Sequence, residues 1–106
     1  MNSLFNNLYG IYTMSGDYEE RVVANDKGDN YIVDTARVTD RPWIFETAIQ
    51  HEDYNRNEWI IVGYANTYED AIREHKKWLD FVKVELPKVR RIKDIYTERV
   101  YISENF

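Results

Sequence analysis

The sequence predicts an α+β fold, with an antiparallel sheet of four to five strands packed against one main amphipathic helix, in a single domain over residues 1–106. Two observations carry this reading. Between residues 20 and 64, short runs rich in Val, Ile, Tyr and Thr are separated by polar turns, the pattern of strands joined as hairpins. After them comes one segment, TYEDAIREHKKWLDFVK, whose apolar residues recur every three or four positions, the period of a helix with one buried face. A chain of 106 residues buries about two thirds of its unfolded surface, which suffices for one core but not for two.

The elements follow in chain order. LFNNLY places Leu4, Phe5, Leu8 and Tyr9 on one side of a short helix that Gly10 ends. ERVVAN and NYIVDTARVT form a hairpin through DKGD, with Gly28 expected to supply the positive φ of a tight turn. WIFETAIQ and EWIIVGY are two further strands across the polar loop HEDYNRN. Alternation sets Trp43, Phe45, Thr47 and Ile49 against Ile44, Glu46, Ala48 and Gln50, with Glu46 on the less buried face. On the next strand, Trp59 and Ile61 oppose Ile60, Val62 and Tyr64, so both faces carry large apolar groups. One helix cannot cover both. A terminal segment or a second copy of the chain is expected to screen the remainder, or it stays open as a binding surface.

The helix has a start signal in Thr67, a natural N-cap, followed three residues later by Asp70. Ala71, Ile72, His75, Trp78, Leu79 and Val82 form the expected buried stripe, and the stop falls near Pro87. Beyond it DIYTERVYI favours a last strand.

Composition excludes several chemistries. The chain has no cysteine, hence no disulfide, thiolate nucleophile or thiolate-ligated metal. With four glycines it shows no P-loop and no dinucleotide fingerprint, and Ser3, Ser15 and Ser103 lie in no nucleophile elbow. No catalytic residue is assigned and no enzyme is expected. The one arrangement that would support acid–base work is a pairing of Glu46 with His75. His51 and His75, the only histidines, have no ligand spacing like HExxH, so no metal and no cofactor are expected. No apolar run reaches the roughly 20 residues of a membrane span. MNSLFNNLYG does not read as a signal peptide, so no membrane partner is expected and an intracellular location is.

Charge is uneven. Residues 1–70 hold 13 acids and 5 bases, residues 71–106 hold 6 acids and 9 bases. An acidic surface suited to a basic groove on a partner is one reading, and two solvated faces are the plainer one. Lys88, Arg90, Arg91 and Lys93 form a basic cluster near Tyr96 and Arg99, but the acidic remainder makes nucleic acid an unfavoured partner. The recognition candidates are Tyr54, Asn55, Arg56, Trp59 and Tyr64, which combine rigid aromatics with adaptable hydrogen-bonding groups on and beside one loop.

The stretch RPWIFETAIQHEDYNRNEWIIVGYANTYEDAIREHKKW resembles a group of small, uncharacterised proteins of tailed bacteriophages. The likeness rests on a strand with Phe45, Glu46 and Thr47, then Trp59, then Tyr64, Thr67, Glu69, Ala71, His75 and Trp78 into one helix, and covers roughly residues 35–82. Asn57 and Glu74 stand where those proteins often have glycine. The resemblance brings no established activity. It implies a phage accessory protein in the cytoplasm of the infected bacterial host that binds stoichiometrically without catalysis. The expected partner is a host protein of antiviral defence, such as a CRISPR nuclease or a nucleotide-signalling effector, with a homodimer as a plausible assembly. The alternatives are a virion or replication accessory protein, and a sponge holding a nucleotide at a dimer interface lined by Tyr54, Arg56, Trp59 and Tyr64.

Overall fold

A computed structural model of the chain describes residues 18–105. The helix expected over LFNNLY lies outside them. The elements are α1 (Tyr18–Arg21), β1 (Val22–Lys27), β2 (Tyr31–Arg37), β3 (Phe45–His51), β4 (Ile60–Ala65), a long helix made of α2 (Tyr68–Asp80), a π-helical stretch (Phe81–Glu85) and α3 (Leu86–Val89), then β5 (Arg91–Lys93) and β6 (Val100–Ile102). The predicted α+β architecture is present: β1 to β4 form one antiparallel sheet in chain order, packed against the one main helix.

β1 and β2 form the expected hairpin, but Gly28 is there for a different reason from the one predicted. Its φ lies outside the left-handed region, and a Cβ at this position would run into the Tyr31 ring. Close approach, rather than a positive φ, requires the glycine.

One face of the sheet packs on the helix. Val33, Ile49, Ile60 and Val62 meet Val82 and Leu86 there, with Trp78, Leu79 and Phe81 around them. A bulge breaks the alternation of β4: Thr47 pairs with Gly63 while Ala48 pairs with Ile61, so Val62 is the extra residue. Each residue after the bulge is shifted to the other face. Tyr64 therefore does not share a face with Ile60 and Val62, as simple alternation predicts, but pairs with Glu46 on the side away from the helix. Gly63 now points at the helix, where a Cβ would lie 2.6 Å from Trp78 Nε1 and would also overlap the Glu74 carboxylate. Glu74 accepts the indole N–H at 3.0 Å. Gly63→Ala is expected to break that contact or lift the helix and to cost about 2 kcal/mol, measured as a lower urea midpoint with unchanged slope.

The helix begins as read from sequence: Thr67 Oγ1 accepts from the Asp70 N–H at 3.1 Å. Ala71, His75 and Val82 are buried, whereas Ile72, placed in the same stripe, is 46% exposed. Pro87 does not stop the helix. It sits in the first turn of α3, and the backbone ahead of it widens so that Leu86 N–H reaches Phe81 O, five residues back. Proline has no N–H for the usual bond and its ring crowds the preceding turn, and a π-turn absorbs both. The helix ends at Arg90, which is left-handed at φ 56° and donates its N–H to Leu86 O at 2.8 Å.

The last strand pairs within its own hairpin, β5 with β6, and does not become a fifth strand of the main sheet. That hairpin is pinned to the outer edge of β4: Ile95 N–H donates to Ile61 O at 2.8 Å, and Asp94 Oδ2 accepts from Ile61 N–H at 3.1 Å. No helix among the described residues is long and apolar enough to cross a membrane.

Candidate functional site

The five recognition candidates do not converge. Tyr54 is 3% exposed and belongs to the core on the helix side, its ring edge-on to His51 at 5.0 Å. It anchors the loop instead of projecting from it. Next to it Asn55, Arg56 and Asn57 are all left-handed, with φ of 52°, 53° and 63°. Asparagine tolerates this backbone because its short side chain bonds locally, and Asn55 Nδ2 reaches Trp59 O at 3.3 Å. Arg56 is exposed, and its backbone N–H is fixed by Glu104 Oε2 at 3.2 Å. Trp59 and Tyr64 lie on the opposite face of the sheet from Tyr54. Trp59 covers Ala36 and Ala48 together with Tyr18, while Tyr64 is 52% exposed. A single ligand pocket of Tyr54, Arg56, Trp59 and Tyr64 is thus not formed within the chain, because the loop turns Tyr54 inward.

Tyr64 instead joins side chains that sequence reasoning did not assemble. Trp43 lies in the loop before β3 and folds back over the sheet, stacked on Tyr64 at 4.8 Å and 18°. Tyr96, from the β5–β6 turn, meets Trp43 edge-on at 6.4 Å. The Arg41 guanidinium lies 4.2 Å from the centre of the Tyr96 ring. Glu46 is the base of this group. It accepts from Trp43 Nε1 at 3.0 Å and pairs with Arg41 Nε at 3.0 Å. It stands on the face away from the helix as expected, but it is buried, at 1% exposed, beneath those two side chains. Burial pushes its carboxyl above the usual range, opposed by the Trp43 hydrogen bond and the Arg41 charge. Its work is to hold Arg41 and Trp43 in place. Tyr64 and Tyr96, each 52% exposed, are then presented to solvent on a braced support.

The histidines are built into the structure. His75 Nδ1 is 2.8 Å from Thr35 Oγ1 and its Nε2 is 2.7 Å from Asp26 Oδ2, while Thr35 Oγ1 is 2.7 Å from Thr47 Oγ1. The order Asp, His, Thr has the form of a nucleophile relay, but Thr35 is fully buried, so no substrate reaches its hydroxyl. The chain fastens the helix to β1 and β2. Glu46 lies on the other face of the sheet, so the Glu46–His75 pairing does not occur. His51 accepts from Asp53 N–H at Nδ1 at 3.1 Å, and burial lowers its pKa. Among the described residues, no three His, Asp or Glu side chains are grouped to hold a metal ion.

The basic cluster divides. Lys88 is exposed on α3, and Arg90 turns back to donate to Asn105 O at 2.7 Å. Only Arg91 and Lys93 act together, on one face of β5 beside Ile102 and Val100 of β6. Of the residues that matter here, Arg41, Trp43 and Asp94 are absent from the candidates read from sequence, and Tyr96 enters there only as an aromatic beside the basic cluster. Asp94 had a readable signal of its own. Its carboxylate Oδ1 accepts from Tyr96 N–H at 2.8 Å and Thr97 N–H at 2.9 Å, the local turn that aspartate favours.

Fold and surface together define a small α+β domain with a preformed aromatic and arginine patch at one edge of its sheet. No family model matches the chain, and neither a curated protein nor a solved structure matches it.

Proposed function

We propose that the chain is a stoichiometric, non-catalytic binding protein whose contact surface is the Arg41, Trp43, Tyr64 and Tyr96 patch. The observation that carries this is the bracing of two half-exposed tyrosines by Trp43, Arg41 and the buried Glu46. Trp, Tyr and Arg supply most of the binding energy at protein interfaces, and rings already fixed by their neighbours lose little entropy on contact. The likeness of residues 35–82 to small tailed-phage proteins directs the reading further: an accessory protein acting in the cytoplasm of an infected bacterium, inhibiting an antiviral defence component such as a CRISPR nuclease or a nucleotide-signalling effector. The nucleotide-sponge alternative has less support, since Tyr64 is already stacked on Trp43 and Tyr54 faces the core.

The test is phage plating on bacteria that carry either defence and express the chain. Restored plating by the native chain, lost in Tyr64→Ala/Tyr96→Ala, is the expected result, and no restoration against either system would sink the reading. Affinity for the captured host component is expected to fall about thirtyfold in the double variant, a loss of roughly 2 kcal/mol. Both rings are half exposed, so the variant should keep its thermal midpoint to within a few degrees.

A further inference from the structure

Apart from the aromatic patch, the long helix and the C-terminal hairpin enclose a half-open groove of about 690 Å³. It is lined by Val62 of the sheet, Trp78 and Phe81 of the helix, and Ile92 and Val100 of the hairpin. The polar residues lining it are all cations: Lys77 on the helix side, Arg91 and Lys93 on the hairpin side, with no acid among the lining residues. Arg91 and Lys93 are exposed and make no ion pair among the described residues. Lys77 lies over the Trp78 ring at 5.1 Å, with Glu74 3.9 Å away on the same helix.

We infer that this groove receives an acidic amphipathic segment of a partner protein. The volume is that of a ligand site, and the cationic rim selects a negative occupant. The placement of the cations chooses the kind. Lys77 comes from the helix and Arg91 and Lys93 from the hairpin, with apolar residues of the sheet, helix and hairpin in the same lining, so an occupant that answers all of them carries an apolar strip with carboxylates toward both elements. A single-headed amphiphile would answer one element only. The apolar surface also continues past the groove: Val100 is 53% exposed, and on the same strand Ile102, opposite Arg91, is 62% exposed. A segment longer than the cavity would cover it.

The experiment is selection from a random peptide library against the full chain, followed by anisotropy titration of the enriched peptides and of anilinonaphthalene sulfonate as a single-headed anionic amphiphile. The expected peptides carry apolar residues flanked by Asp or Glu. Their affinity should drop at least tenfold in Arg91→Glu/Lys93→Glu and in Val100→Asp, fall as salt is raised from 50 to 200 mM, and stay unchanged in Tyr64→Ala/Tyr96→Ala. All three groove positions are exposed, and thermal unfolding confirms that the variants fold. Four outcomes would overturn the inference: no enrichment over the groove variant, peptides without acidic residues, binding indifferent to the groove substitutions, or the sulfonate binding the groove more tightly than the peptides. None of them touches the reading of the aromatic patch.

Discussion

Asp94→Ala is expected to destabilise the chain by about 4 kcal/mol, the largest effect of any exchange considered and a large part of the stability of a domain this size. The carboxylate is 5% exposed and accepts three backbone N–H groups, from Tyr96 and Thr97 in its own turn and from Ile61 on β4. Hydrogen bonds to a charged acceptor contribute about 1.5–3 kcal/mol each, and water can replace only those in the exposed turn. The Ile61 N–H, between sheet and hairpin, would be left without its acceptor. Urea unfolding measures the loss, and amide exchange locates it: Ile61 and Ile95 should lose protection ahead of the β2–β3 pairs. Asp94→Asn keeps an acceptor for Tyr96 and Thr97 but turns an N–H₂ toward Ile61, so it should cost less. Equal protection in all three proteins would show that the Asp94 carboxylate does not hold the hairpin to β4. Because Tyr96 is carried on this turn, Asp94→Ala should also weaken binding through the aromatic patch.

The second large effect is a dependence on pH. Asp34 is fully buried in β2, hydrogen-bonded by the Tyr18 hydroxyl and by Asn25 Nδ2 at 2.8 Å through one oxygen, Oδ1, while Oδ2 has no hydrogen-bond partner among the described residues. Burial raises its pKa to about 6 from 3.8; the two hydrogen bonds oppose this and the charge of Glu46 adds to it. Between these values the folded chain holds a proton that the unfolded chain has released. The folded state then binds more protons, and stability falls as pH rises. The decline from this group totals about 3 kcal/mol, of which about 2 kcal/mol falls between pH 4 and pH 6, and it levels off above about pH 7. Asp34→Asn removes it. The stability difference, variant minus native, should therefore grow by about 2 kcal/mol from pH 4 to pH 7 in urea titrations. A difference that stays flat with pH would mean that Asp34 is ionised in the folded state at ordinary cost.

How far these features could be read from sequence depends on whether they are local. The capped start of the long helix at Thr67, the β1–β2 hairpin and the antiparallel β3–β4 pair follow from spacing and turn chemistry within a dozen residues. Pro87 misled because proline excludes the ordinary hydrogen bond without excluding a wider turn. Alternation failed at Val62, where one extra residue in β4 reassigns Tyr64 to the opposite face; nothing in EWIIVGY marks it apart from the glycine that follows. The site was the least legible part. Arg41, Trp43, Tyr64 and Tyr96 come from three segments, and their meeting depends on that bulge, on the fold-back of the loop before β3 and on Asp94. Tyr54 had the composition of a recognition loop and the burial of a core residue. Composition reports what a side chain can do, not which way the backbone turns it.

The hairpin pinned along β4 has a further consequence for how copies of this chain can associate. A sheet that grows by adding molecules strand to strand needs a free margin at both ends, one to dock and one to be docked upon. Here the centre of the β4 margin is already taken by Asp94 and Ile95 of the same molecule. Among the described residues the opposite margin is β1, which ends in the exposed residues Asn25, Asp26 and Lys27. With the β4 side taken, strand addition through this sheet runs, among the described residues, no further than a pair joined through β1.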